Sequence, residues 1–210
     1  MHKNVSFKLL ATGLAVALTA ATIPAMAQSR GDWTIGAGLG MVSPKSSNGT
    51  LAGALKLDVD NDTKPTVTFE YFVYDNLGVE VLAAWPFQHD INIKGLGRVG
   101  STKHLPPTVS LQYHFNSQGT ISPFIGVGVN YTNFFSEKTK GVLRGGDLKL
   151  DDSWGIAGHV GVDVAVGERG AVRVDARYMD IDSKVKLDGA KLGTANIDPW
   201  VWGVSYIWKF

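Results

Sequence analysis

Large apolar side chains recur at every second position through much of this chain, most plainly at its end. There Trp200, Trp202, Val204, Tyr206, Trp208 and Phe210 alternate with Val201, Gly203, Ser205, Ile207 and Lys209. A period of two places the first set on one face of a β-strand. Three tryptophans on one face suit a membrane interface, and the opposite face is small and partly polar. That combination predicts a transmembrane β-barrel strand, lipid on one side and a narrow interior on the other.

Seven earlier stretches repeat the pattern. Their outward faces are predicted as Trp33 to Met41, Val67 to Val73, Leu77 to Phe87, Leu105 to Phe115, Ile125 to Phe135, Trp154 to Val166 and Val172 to Tyr178, every second residue in each. Short turns join the second and third (Asp75-Asn76), fourth and fifth (Asn116 to Thr120), and sixth and seventh (Gly167 to Gly170). Long connections separate the others: Ser43 to Pro65, Gln88 to His104, Ser136 to Asp151 and Asp180 to Asp198. Alternating short and long connections with an even strand count predict an all-β fold. It is an eight-stranded antiparallel up-and-down barrel with short periplasmic turns and long extracellular loops. A soluble lipocalin-like barrel would instead expose the Gly-rich faces and force the tryptophans into a lumen with little room. Trp33, Trp85, Trp154, Trp200, Trp202, Trp208 and Phe210 are therefore expected to form the interface girdle.

The amino terminus fits export. A cationic start (His2, Lys3, Lys8), an apolar stretch from Leu9 to Ala21 and the small residues Ala25 and Ala27 read as a secretory leader. It is expected to occupy residues 1–27 and be cleaved after Ala27, leaving a barrel over 28–210. The full chain carries 20 Lys plus Arg against 19 Asp plus Glu, and losing Lys3 and Lys8 tips it one charge negative. Near-neutrality leaves no footprint for nucleic acid. With no cysteine, neither disulfides nor thiolate metal sites arise.

Eight strands leave an interior that side chains fill or that holds one small ligand. Inward charges gather toward the periplasmic turns, where Glu70, Glu80, Asp163, Arg173 and Asp175 are expected to pair and plug the lumen. Toward the outside the inward residues turn apolar, and Leu82, Ala84, Phe124, Met179 and Arg177 are the expected substrate path, with Arg177 at odds with a greasy passage. Pro86 ends one strand while Leu105, Pro106 and Pro107 open its neighbour, so both lack ladder donors near the outer lip. A gap there would release cargo sideways.

Several segments together resemble the outer membrane protein W family, which takes in AlkL-like proteins. They are Asp75-Asn76-Leu77-Gly78-Val79-Glu80, Lys103-His104-Leu105-Pro106-Pro107-Thr108, Gly128 to Phe135, Asp152-Ser153-Trp154-Gly155, Tyr178 to Asp182 and Asp198-Pro199-Trp200-Val201. The resemblance implies a bacterial outer-membrane barrel with a hydrophobic pocket for small hydrophobic molecules. It also implies that Phe210 is read by the barrel assembly machinery, that 104–108 line the outer lip, and that Leu82 narrows the lumen. The partners expected are outer-membrane lipids and hydrophobic molecules; no cofactor, metal or catalytic group is expected. Two alternatives compete. A lipid-acting enzyme would draw on His89, His104, Asp90 and Ser101 of one long loop, yet these lack nucleophile-base-orienter spacing. An adhesive, phage- or bacteriocin-receptor barrel would use loops such as Ser46 to Leu57 and Gly141 to Leu150, which read as recognition surfaces or as solvated connectors.

Overall fold

A computed structural model describes residues 28–210, so the expected leader falls outside the described part. In chain order its strands are β1 (Trp33–Ser43), β2 (Thr50–Leu51), β3 (Leu55–Val59), β4 (Asp62–Tyr74) and β5 (Leu77–Ala84). Then come β6 (Phe87–Ile93), β7 (Gly97–Leu105), β8 (Thr108–His114), β9 (Ile121–Thr139) and β10 (Leu148–Leu150). The last are β11 (Ser153–Ala165), β12 (Gly170–Met179), β13 (Asp182–Leu187), β14 (Ala190–Asn196) and β15 (Trp200–Lys209).

Eight of them close a barrel. The antiparallel order β1-β4-β5-β8-β9-β11-β12-β15 returns to β1, where Thr34 pairs with Lys209 and Ser43 with Trp200. Closure leaves no unpaired edge, the condition for strands to cross a bilayer. The period-two reading holds along the wall. Trp154, Ile156 and Val127 are 73%, 67% and 64% exposed, while inward neighbours such as Ala157, His159 and Phe124 are buried. Side chains that apolar and that exposed require a hydrocarbon surround rather than water.

Aromatic contacts bracket this band. Trp33 packs on Phe69 and Tyr71 at one end, where Tyr206 meets Trp208. At the other, Tyr131 meets Trp154, and Trp200 meets both Tyr178 and Trp202. Trp200 and Trp208 lie on one strand eight positions apart. At about 3.3 Å per residue that is roughly 26 Å along a tilted strand, a span suited to a bilayer core.

The long connections differ from simple loops. They fold into a β-structured storey on the outer end: β2 pairs β3, β3 pairs β6, β6 pairs β7, β7 pairs the far half of β9, and β10 pairs the β13–β14 hairpin. The physical reason is a short apolar alternation in each: Leu55, Leu57, Val59; Ile91, Ile93; Leu148, Leu150; Val185, Leu187. These residues turn inward to form one cluster with Phe87, Val99, Phe134, Ile181 and Ile197.

The strand boundaries near the prolines also shift. Leu105 does not open the fourth barrel strand; it closes the β6–β7 hairpin, and β8 starts at Thr108 because Pro106 and Pro107 supply no N–H between them.

Candidate functional site

The interior divides into three levels. At the lowest, Arg173 sits at the centre. Its Nε and Nη2 donate to Asp163 at 2.7 and 2.9 Å, its Nη1 to Glu80 at 2.7 Å and its Nη2 to Glu70 at 3.4 Å. Glu70 and Glu80 are cross-strand neighbours on β4 and β5. Like charges at that spacing repel unless a cation lies between them, and the arginine fork of β12 fills that place. All four side chains are buried.

Two histidines that the sequence reading passed over complete this level. His114 Nε2 donates to Glu70 at 3.0 Å. Gln112 Nε2 donates to His159 Nδ1 at 2.9 Å, which leaves His159 Nε2 to donate to Asp175 at 2.9 Å. Asp175 thus pairs with a histidine and not with an arginine. The signal was available, since Gln112, His114 and His159 all occupy inward positions of alternating strands.

Two residues expected on the path belong to this level instead. Arg177 donates to Glu80 at 2.7 Å, so it is neutralised inside the network. Phe124 lies under the Arg173 guanidinium at 4.4 Å and beside His114, at the height of Gly161 across the β9–β11 ladder. A Cβ at Gly161 would meet the Phe124 ring at 2.6 Å, so glycine there makes the room for it. What remains open between this network and Leu82, Val201 and Gly203 is a cavity of only about 30 Å³.

The middle level is apolar along β1, β5, β12 and β15, while β8 and β9 bury a hydrogen-bonded row of Thr108, Asn130 and Thr132 there. Leu82 and Met179 are buried together with Val42, Ala157 and Val201, and Ala84 packs against them. Above lies the outer storey, whose Leu57, Ile91, Val99, Phe134, Leu150 and Ile197 surround a cavity of about 50 Å³ with no polar atom on its exposed wall. Its side chains nearly fill it. This enclosed apolar space therefore sits in the strands that replace the loops, above the barrel proper.

The wall is interrupted beside these upper levels. The β5–β8 ladder ends at the pair Leu82↔Thr108, and the β6–β7 ladder begins at Phe87↔His104. Between them residues 83–86 face 105–107 with no pairing, four against three, and Pro86, Pro106 and Pro107 lie inside the interval. Each margin is held from behind: Trp85 N–H donates to Pro65 O, and Pro107 O accepts from Tyr131 N–H, both at 3.0 Å. The result is an unpaired interval, called the window below, between two continuous ladders.

His89 and His104 stand at its upper frame, their Nε2 atoms 2.9 Å apart. They bond to each other and to Asp60 O, while Asp90 pairs with Arg98. Of the four loop residues considered for catalysis, the two histidines thus bond to each other and Asp90 is engaged by Arg98.

A closed eight-stranded barrel with an outward apolar band, a salt-bridged lumen and an apolar outer storey is an outer-membrane protein of the small-barrel class. The OmpW family matches residues 29–210, and the chain belongs to it. Outer membrane protein W of Vibrio cholerae is 37% identical, covering 94% of this chain and 97% of that protein. The crystal structure of OprG from Pseudomonas aeruginosa aligns with a TM-score of 0.79 at 36% identity, over 89% of this chain and 99% of that one. A more distant relative, 28% identical over 72% of this chain and 75% of its own length, is the dibenzothiophene metabolism operon protein PahQ of Pseudomonas aeruginosa. The protein resides in the outer membrane.

Proposed function

We propose that this barrel admits small hydrophobic molecules from outside into the apolar storey and releases them sideways, through the window between β5 and β8, into the outer leaflet. The observation that carries this reading is the order of levels: an apolar chamber, an adjoining unpaired interval in the wall, and below both a lumen closed by ion pairs. A molecule heading downward would have to separate Arg173 and Arg177 from their buried carboxylates, and breaking a buried pair costs about 3–5 kcal/mol. Leaving through the window breaks no ladder hydrogen bond. The PahQ relative, named for metabolism of an apolar aromatic sulfur compound, supports an apolar cargo. In this reading the chain acts as a conduit and not as an enzyme, Ala27 is the cleavage point, and Phe210 is the handle for assembly.

A cross-link tests it. The chain has no cysteine, so the pair Ala83→Cys and Pro107→Cys would react alone with a short thiol-specific linker. In intact Gram-negative cells, uptake of a labelled hydrophobic probe should fall to the level of cells without the barrel once the linker is closed. Each single-cysteine variant should stay as active as the parent. Unchanged uptake in the cross-linked, folded barrel would remove the lateral route; no barrel-dependent uptake at all would favour the adhesive alternative.

A further inference from the structure

The two histidines at the window carry more than a packing role, because their proton positions follow from their partners. His89 Nδ1 lies 2.5 Å from the carbonyl oxygen of Asp60. A carbonyl only accepts, so that nitrogen carries the proton and a neutral His89 presents a bare Nε2. His104 Nε2 must then donate across the 2.9 Å gap. This leaves His104 Nδ1 as a bare acceptor, and it is buried without any hydrogen-bond partner. Burial holds both rings neutral, lowering His89 and bringing His104 to about 3.

The surroundings sharpen the meaning of that lone pair. The His104 ring is stacked between Phe87 and Phe134 at 5.6 and 5.7 Å, both members of the apolar cluster, and it forms the last rung above the window. An acceptor left unmet in such a place costs free energy, and a donor arriving with an apolar body recovers it. An alkane offers no donor. A carboxylate offers only acceptors and would set lone pair against lone pair.

Resting on the proposed uptake of hydrophobic molecules, we infer that His104 is a specificity residue that selects apolar molecules bearing a neutral hydroxyl, such as alcohols and phenols, by accepting their proton donor at Nδ1. Asp60 and His89 are positioning groups, since they fix which nitrogen of His104 is bare. Placement at the frame means that the hydroxyl is read as the molecule passes from chamber to window.

The test compares probes of one chain length, 1-octanol, n-octane and octanoate, in intact cells carrying the full barrel. The parent should take up 1-octanol over n-octane by roughly fivefold, the worth of one hydrogen bond, with octanoate lowest. His104→Phe, which keeps a stacked ring and removes the acceptor, should bring 1-octanol down to the n-octane rate while n-octane stays within about twofold. A preference that survives His104→Phe overturns the assignment. Nitrogen-15 NMR of the folded barrel gives a readout independent of transport: the bare Nδ1 signal of His104 should move toward a hydrogen-bonded value on adding 1-octanol and stay put with n-octane. A signal indifferent to 1-octanol also overturns the assignment. Should the parent carry neither probe while the signal still moves, the transport reading fails and the binding site stands.

Discussion

Arg173 shows at the scale of one residue how the lower lumen is held shut. Its guanidinium donates four hydrogen bonds to three carboxylates from three strands, a geometry that the planar fork satisfies and an ammonium would not. Arg173→Met is expected to destabilise the barrel by about 3–5 kcal/mol, because Glu70, Glu80 and Asp163 would be left buried with their central cation removed. Urea unfolding in lipid vesicles measures this, and Arg173→Lys should recover only part of the loss. The sequence shows that Glu70, Glu80, Asp163, Arg173 and Asp175 face inward, since period two dictates the face. It does not show which charge meets which. That depends on strand tilt and register, and these draw Arg177 and Phe124 into the network and give Asp175 to His159.

At the scale of elements, the eight barrel strands were legible because each repeats a two-residue period over many positions between turn-forming residues. The outer strands were not. Pairs such as Ile91 and Ile93 or Leu148 and Leu150 are too short to separate a strand from a loop with two apolar residues. They become strands because their neighbours bury the same faces. The β6–β7 hairpin also has its own pH dependence. Burial holds its His104 at about 3 and lowers His89, while Asp60, Asp62 and Lys64 are the charged groups facing the pair. Unfolded histidine takes up its proton near 6.5, so the hairpin is steady above that value and loses stability as the pH falls from there toward 3. Amide exchange, corrected for intrinsic rates, should lose protection in β6 and β7 by roughly tenfold per pH unit below about 6.5. The β1–β15 ladder serves as reference, and protection in β6 and β7 that does not change between pH 7 and 5 would contradict the prediction.

At the scale of the whole molecule, one face of every barrel strand is committed to lipid. Val204 lies between Leu39 and Val174 in the middle of that face and is 57% exposed. Val204→Arg is therefore expected to cost about 2–4 kcal/mol in vesicle-based unfolding, as a charge at the bilayer midplane does. Its strand neighbour Ser205 faces the lumen and should take Thr at a fraction of that cost. In a soluble barrel with the opposite sidedness the two results would trade places. Alternation, turn chemistry and the girdle of aromatics settle the eight barrel strands, their sidedness and the membrane setting from sequence alone, because each is a local property repeated along the chain. The ion network, the apolar storey, the window and the lone pair of His104 are decided only by tertiary structure. Each joins residues from strands far apart in sequence, and what they do depends on closure, register and the missing proline donors acting at one height of the barrel.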